Sequence, residues 1–571
     1  MKKRVFFLLL ILVFAAALRL YRLGSIPPSL YSDEANQLYN AYSVLTTGKD
    51  EHGKFLPFSF RSFGDWKPPL QTYLMVPFVW LWGPSEVAAR APSAVLGVGS
   101  IVITFLLVLE LSFGKRFRHK LALFSAFALS ISPWHVLESR AAMLVVVALF
   151  FYIIGVYFFI YGLRRNAVFL VLSLPMFVFS TYSYYGMRLV VPLTILFFAT
   201  LRRRDIFFHL RLIGLSAIFA SFLLLPLGIS FLKEPDVVLG RARTVSVFYD
   251  QGIKLRRWEL STSDAFKTPL WLTSLLHNNY YLYEKDIARR FFSHLELEFL
   301  FVNGDRAQPF QIPGIGVLLA TDALLLPVGL YWLIRNFGRW KLVLGLWAIT
   351  IVPAALTFLT PASNRSFNAS VPMAIVSAGG LYAIINFTLK EFPRLRSGQA
   401  WLHPPAGGFS LPPSRWVSTL IISFAILICF AYFLRQYFHV LPTQHADWWN
   451  WGWKEAFAYL KTVDGKYDSI VVYDRGMPYI YMALYQEKPP EYLMQNSVRT
   501  YHPDQFGYEH VDSLGKYLFN HELDWSSVRE NMLPRSLYVI PADLAQEDRG
   551  YSHLITYPDG KPAIKFFKNE Y

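Results

Sequence analysis

The feature that most constrains this chain is a recurrence of long apolar runs separated by short basic clusters. Crossing a bilayer's hydrocarbon core takes about 20 helical residues. Runs of that order fall at about 5–22, 88–112, 119–133, 141–162, 166–182, 188–201, 207–232, 313–334, 341–360, 367–389 and 416–440. The third and sixth are short. A further stretch, 70–83, is interrupted by Pro77 and reads as a helix lying at the interface. Composition agrees: 54% of the 571 residues are apolar and 16% charged, against about 45–50% and about 25% in a soluble domain. A soluble enzyme of this size would expose too much apolar surface, and 49 Phe, 33 Tyr and 16 Trp exclude a disordered chain. The expectation is an all-α polytopic membrane protein with about eleven spans.

The net charge of +16 would suit a nucleic-acid binder, but its placement argues for topology instead. Alternate short loops hold Lys2, Lys3 and Arg4; Lys115, Arg116, Arg118 and Lys120; Arg164 and Arg165; Arg202, Arg203 and Arg204; Arg335, Arg339 and Lys341; and Lys390, Arg394, Arg396 and Arg415. The opposite short loops hold Arg140, Arg188 and Arg365. The richer set faces the cytoplasm, so the N-terminus is expected inside and the C-terminus outside, in the plasma membrane of a bacterial cell. Ala15-Ala16-Ala17 resembles a signal-peptide cleavage site, but Arg19 and Arg22 follow closely, so the first run reads as a retained anchor. Cys429 is the single cysteine, so an intrachain disulfide is excluded.

Residues 1–440 form the expected membrane domain, with outer loops at 23–87 and 233–312. Residues 441–571 read as a small extracytoplasmic α/β domain, with a helix over 453–462 and strands over 469–473 and 536–540. The Pro/Gly-rich stretch 396–414 reads as an inner linker. The cluster Trp448-Trp449-Asn450-Trp451-Gly452-Trp453 reads as an interfacial aromatic belt.

Chemistry concentrates in the outer-facing segments. Ser32-Asp33-Glu34-Ala35 follows the first run, and adjacent carboxylates near a membrane face need a partner or a task. One reading makes Ser32 an N-cap with both acids in the first helical turn; the other makes an acid a general base in a cleft. Lys67 precedes Pro68 and Pro69, which holds it extended and suits it to a lipid phosphate. Arg90 lies at the outer end of the second run, and Arg140 and Arg188 end the clusters SPWHVLESR and YSYYGMR. Asp65, His135, Glu138, Tyr182 and Tyr184 in the same segments are secondary candidates. Asn364 and Asn368 fit glycosylation sequons, and His294, Asp305 and Arg306 read as loop residues or lipid and acceptor contacts.

Taken in order, the SDEA carboxylates, KPPL, RAPSA, SPWHxxxSR and YxYxxxR resemble the GT-C superfamily of polyprenyl-phosphate-sugar-dependent glycosyltransferases. Within it they are most similar to the protein O-mannosyltransferase and lipid A aminoarabinose transferase group, glycosyltransferase family 39. The likeness covers about the first 190 residues; beyond them it is one of architecture, plus LFVNGD at 300–305. It implies an inverting transfer of a hexosyl or pentosyl group from a polyprenyl-phosphate donor to an acceptor hydroxyl on the outer face. Asp33 would be the base and Glu34 its support, with Lys67 on the donor phosphate; beside these, Arg90, Arg140 and Arg188 are candidate phosphate-binding or structural arginines. The acceptor could be a protein, a glycolipid or a glycan. No cofactor is required, a divalent cation is optional, and no metal-ligand spacing stands out in the sequence. Two departures are visible: Leu144 stands where relatives often have an acid, with Glu138 as a substitute, and Asp65-Trp66 replaces a Glu directly before the lysine. The alternatives are a transporter or flippase, or a non-catalytic binder, of lipid-linked sugars. Repeated halves and ionisable residues at mid-span, which would favour transport, are not evident.

Overall fold

The computed structural model describes residues 2–249, 251–264, 268–386, 415–504, 507–522 and 524–570. The expected inner linker 396–414, with Lys390 and Arg394, lies outside them. Each expected apolar run holds a helix: Lys2–Leu20, Glu86–Leu111, Arg118–Ile131, Leu144–Gly162, Phe169–Thr181, Met187–Leu201, Leu210–Lys233, Asp322–Asn336, Trp340–Ala355, Ser370–Ile385 and Arg415–Arg435. Among the described residues, five helices are long and apolar enough to cross a bilayer, or six with one bent pair. A thirteen-residue helix such as Phe169–Thr181 rises only about 20 Å, short of a core about 30 Å thick. Length and apolarity therefore establish a multi-pass protein with five or six such helices, not the count of about eleven.

Small residues set the closest helix contacts, as expected where apolar surroundings give no hydrophobic drive for association. A methyl group on Gly329 would meet the Val376 carbonyl oxygen at 1.9 Å, and one on Gly380 the Leu325 carbonyl at 2.1 Å. Helices Asp322–Asn336 and Ser370–Ile385 thus touch backbone to backbone. Ser173 and Ser180 join Phe169–Thr181 to Leu144–Gly162 by donating to the Gly155 and Ala148 carbonyls at 3.2 and 2.9 Å.

The bent pair is Arg118–Ile131 and Pro133–Ser139, which meet at 60°. Pro133 has no N–H to continue the first helix but suits the start of the second, where the Ser132 hydroxyl accepts from the His135 N–H. The eighth run also departs from a continuous helix. Residues 313–321, with Pro313, Gly314 and Gly316, pass as non-helical chain, and the helix begins only at Asp322. Gly316 is needed there because a side chain would strike the Leu300 carbonyl at 2.4 Å.

The first outer segment is ordered by helix Ser32–Thr47, the hairpin of β1 (Phe60–Ser62) and β2 (Asp65–Lys67), and helix Leu70–Trp82 with Pro77 inside it. The second holds helices Pro235–Val245, Gly252–Asp264, Leu270–Leu276 and Asn279–Ser293. In the C-terminal part, helix Trp453–Val463 precedes β3 (Ser469–Tyr473), β4 (Ser497–Thr500), β5 (His510–Leu514), β6 (Tyr517–Asn520), β7 (Ser536–Pro541), β8 (His553–Thr556) and β9 (Pro562–Asn569). These seven strands form one mixed sheet in the order β4-β5-β6-β3-β7-β9-β8, with β3 parallel to both neighbours. Ile470 and Val472 of β3 pack with Phe457 and Leu460, and the same apolar core continues into Leu38, Tyr39 and Ala41 of helix Ser32–Thr47. The tryptophan cluster does not form the expected interfacial belt. Trp449 and Trp453 are buried in the cores that join the two parts, where their large apolar area is worth most.

Lys568 on β9 and Arg203 at the start of helix Arg203–Phe208 are both solvent-exposed and test the orientation. In a Cys429→Ser background, Lys568→Cys should react with a membrane-impermeant maleimide on intact spheroplasts, and Arg203→Cys only after lysis. The reverse pattern would invert the topology.

Candidate functional site

Helix Ser32–Thr47 begins one residue earlier than an N-cap at Ser32 would allow: Tyr31 is the cap and Ser32 the first helical residue. Both acids lie in the first turn, where the helix dipole favours them, but they face different surroundings. Glu34 is 1% exposed and accepts hydrogen bonds from four donors. These are Arg90 Nε at 3.1 Å and Nη2 at 3.2 Å, the Tyr31 N–H at 3.0 Å and the Ala142 N–H at 2.7 Å. The Asp33 side chain is 38% exposed and opens into a cavity of about 1380 Å³.

Lys67 closes β2 in the extended geometry that its following proline requires. Its ammonium sits between two carboxylates, 3.3 Å from Asp33 and 3.5 Å from Asp65. Arg241, on helix Pro235–Val245, approaches Asp65 at 3.7 Å. Burial alone would raise the Asp65 carboxyl, but Lys67 and Arg241 hold it below the usual carboxylate range. Burial would likewise lower the Lys67 ammonium, and Asp33 with Asp65 instead keep it above its ordinary value. The hydroxyl of Tyr185 donates to the Trp66 carbonyl and so pins β2 to the start of helix Met187–Leu201. On that helix Arg188 donates from Nη1 to the Val238 carbonyl at 2.6 Å, while its Nε is buried without a partner among the described residues. Arg188, Tyr184 and Arg365 line the same cavity, as does Leu144 at the position where an acid was expected.

The cavity brings together Asp33, Asp65, Lys67, Arg188 and Tyr184 of the sequence-derived set. It does not bring in Arg90 or Arg140, and their expected phosphate contact is corrected by what their guanidinium groups do. Arg90 is fully buried and, besides Glu34, donates to the Leu23, Pro27 and Ser29 carbonyls at 3.1, 2.9 and 2.5 Å. Arg140 donates to the Leu18, Arg19, Tyr21 and Ile26 carbonyls at 2.7–3.0 Å. These are carbonyls at and beyond the C-terminus of helix Lys2–Leu20, where no intrahelical donor remains. Both arginines thus fasten the chain leaving the first helix and do not line the cavity; the Arg140 Nε alone is left without a partner among the described residues. Glu34 itself, though at the cavity wall, has both oxygens occupied.

Of the other secondary residues, His135, Glu138 and Tyr182 stand apart from the cavity, whereas Asp305 lines it. His135 is buried, with Nδ1 2.8 Å from Arg19 Nη2. Glu138 is buried behind Tyr184, and neither of its oxygens has a hydrogen-bond partner among the described residues. The Tyr182 hydroxyl enters helix Leu210–Lys233 at its proline, donating to the Leu223 carbonyl at 2.9 Å and accepting from the Leu227 N–H at 3.3 Å. Asp305 clamps LFVNGD to helix Ser363–Ser366 by accepting from the Ser363 N–H at 2.5 Å and its hydroxyl at 2.9 Å. Arg241, Arg365 and Tyr185 were not singled out from the sequence. Arg241 lies in a long segment with no motif, whereas Tyr185 had a signal as a neighbour of Arg188 in YSYYGMR, and Arg365 had one as the third arginine of the outer short loops.

With this geometry in view, comparison with known proteins is informative. Residues 9–178 match the family described as Dolichyl-phosphate-mannose-protein mannosyltransferase. That stretch includes SDEA, KPPL, RAPSA and SPWHVLESR; Arg188 lies beyond it. No curated protein sequence matches the chain. Two solved structures share its fold along nearly its whole length. ArnT from Cupriavidus metallidurans in the apo state is 10% identical, with 98% of this chain and 97% of that chain covered and a TM-score of 0.52. The same protein bound to undecaprenyl phosphate is 12% identical over the same shares, with a TM-score of 0.53. The resemblance expected from the sequence thus agrees with a family match over residues 9–178 and with a fold shared along nearly the whole chain.

The contrast between the neighbouring acids is testable without an activity. Removing Glu34 strands the Arg90 guanidinium in a dry site, a loss of about 3–5 kcal/mol. Glu34→Ala should therefore lower the thermal unfolding midpoint in detergent sharply, whereas Asp33→Asn should leave it nearly unchanged. Equal effects would contradict the division of labour.

Proposed function

We propose that this protein is an integral-membrane, inverting glycosyltransferase that moves a sugar from a polyprenyl-phosphate donor to an acceptor hydroxyl on the outer face of a bacterial plasma membrane. The observation that supports it best is the cavity in which the partly exposed Asp33 carboxylate has Lys67 against it, with Arg188 and Arg365 on the walls. The family match over residues 9–178 and the shared fold with ArnT support the same reading.

Asp33 takes the proton from the acceptor hydroxyl as that oxygen attacks the anomeric carbon from the face opposite the phosphate. The bond to the phosphate oxygen breaks, and its electron pair leaves with the polyprenyl phosphate. Lys67 and Arg188, fixed in a cleft of low dielectric, stabilise the charge gathering on that oxygen. Arg188 suits this because its Nε has no acceptor among the described residues and a guanidinium matches phosphate geometry. Tyr185 supports Lys67 by holding β2, and Asp65 with Arg241 fixes the ammonium from its far side. The sugar is a hexose or pentose, and the acceptor is a protein, glycolipid or glycan hydroxyl. No resident cofactor is needed, since a phosphate leaves without strong general-acid help. Asp33 and Asp65 are the carboxylates that would hold an optional divalent cation on the cavity floor. The Lys67 ammonium already sits between them, so this pair does not fit such an ion.

A general base contributes about 10²–10⁴-fold, so Asp33→Asn should reduce transfer from radiolabelled polyprenyl-phosphate sugar in membranes by at least about 100-fold. Donor binding should survive. Mass spectrometry of the donor after incubation with the unaltered protein and acceptor should show it consumed. Unchanged turnover in folded Asp33→Asn, or donor bound but never consumed, would remove the proposal.

A further inference from the structure

One wall of the cavity is built by one end of the mixed sheet. β3 and β6 are parallel neighbours and β5 runs antiparallel to β6, so the ends of β3 and β6 and the start of β5 lie side by side. Each presents one residue with metal-binding chemistry. Asp474 directly follows β3, His521 directly follows β6, and His510 opens β5. One ligand atom from each lies within 4.8 Å of the others, and all three residues line the cavity. Loops beyond the carboxyl ends of parallel strands are where α/β sheets present ligand sites.

Two details go beyond proximity. The Asp474 side chain is 2% exposed, and one oxygen, Oδ1, is buried without a hydrogen-bond partner among the described residues. A buried carboxylate oxygen left unmatched is costly and calls for a cationic or donor group. His510 is also held as metal-bound histidines are, with a carboxylate behind one nitrogen. Its Nε2 is 3.1 Å from Asp504, which leaves Nδ1 beside Asp474 at 2.7 Å. His521 stacks on the His510 ring with centroids 4.1 Å apart and planes at 13°, so a shared ion, which binds in the ring plane, is reached when the partly exposed His521 ring turns out of the stack.

We propose that Asp474, His510 and His521 bind a divalent transition-metal ion of the zinc type at the outer mouth of the cavity. Two imidazoles and one carboxylate are a borderline N/O donor set suited to zinc, and three protein ligands leave a coordination position open. The site is separate from the Asp33–Lys67 floor and does not depend on the transferase reading. It ties the end of β6 to β3 and offers its open position to an oxygen-bearing group in the cavity.

The test uses the untagged full chain, stripped with chelator in detergent and dialysed against micromolar zinc chloride, with bound metal counted by mass spectrometry. About one equivalent is expected. His521→Ala removes a partly exposed side chain at a strand end and should keep the fold while weakening zinc at least about tenfold. Asp474→Asn should do the same, and Asp33→Asn should retain the full equivalent. No bound zinc in the unaltered protein, an equivalent retained in His521→Ala, or one lost only in Asp33→Asn would each overturn the assignment.

Discussion

The site depends on the buried pair between Glu34 and Arg90. Two charges out of water persist only when the geometry is good and the remaining lone pairs are met. Here the guanidinium fork and two backbone N–H groups meet both carboxylate oxygens. The consequences are spatial. The Tyr31 N–H fixes where helix Ser32–Thr47 begins, and the Ala142 N–H ties that start to the chain entering helix Leu144–Gly162. Arg90 gathers the carbonyls of residues 23–29 around the same point. Asp33, one residue before Glu34, is then turned toward the cavity, and one rigid junction sets the direction of the proposed base.

Charge is distributed unevenly around that carboxylate. Residues before the C-terminal part contribute Lys67, Arg188, Arg241 and Arg365 together with Asp33, Asp65 and Asp305, whereas the sheet end contributes Asp474, Asp504, Asp512 and Glu522 with Arg475. Under the proposed function the first group is the one that attracts a phosphate. His510 lies between Asp474 and Asp504, and its hydrogen bond to Asp474 leads the contacts that raise the imidazole to about 9, against the effect of burial. The acidic wall therefore contains a cationic group even without a bound ion.

The membrane part was largely legible because a run of apolar residues has few folded outcomes, and each expected run holds a helix. Its breaks were less legible. The bend before Pro133 and the non-helical course of 313–321 follow from local Pro and Gly, whose effect on so apolar a stretch depends on neighbouring backbone. Within the site, Asp33 and Lys67 stood out because their motifs are local: two acids at a helix start, and a lysine before two prolines. Arg90 and Arg140 looked like ligands because a buried arginine and a functional one read alike in sequence; only the carbonyls they reach distinguish them. Arg241 and the trio Asp474, His510 and His521 had no readable spacing. They meet through packing of a remote helix and through strand order, neither of which leaves a local pattern.

The most direct measurement of the central claim is a structure of the full chain with its polyprenyl-phosphate donor bound. The account predicts the phosphate within hydrogen-bond distance of Lys67 and Arg188, with the anomeric carbon facing Asp33 across the cavity. A phosphate seated against Arg90 or Arg140, or a sugar lying out of reach of the Asp33 carboxylate, would contradict it.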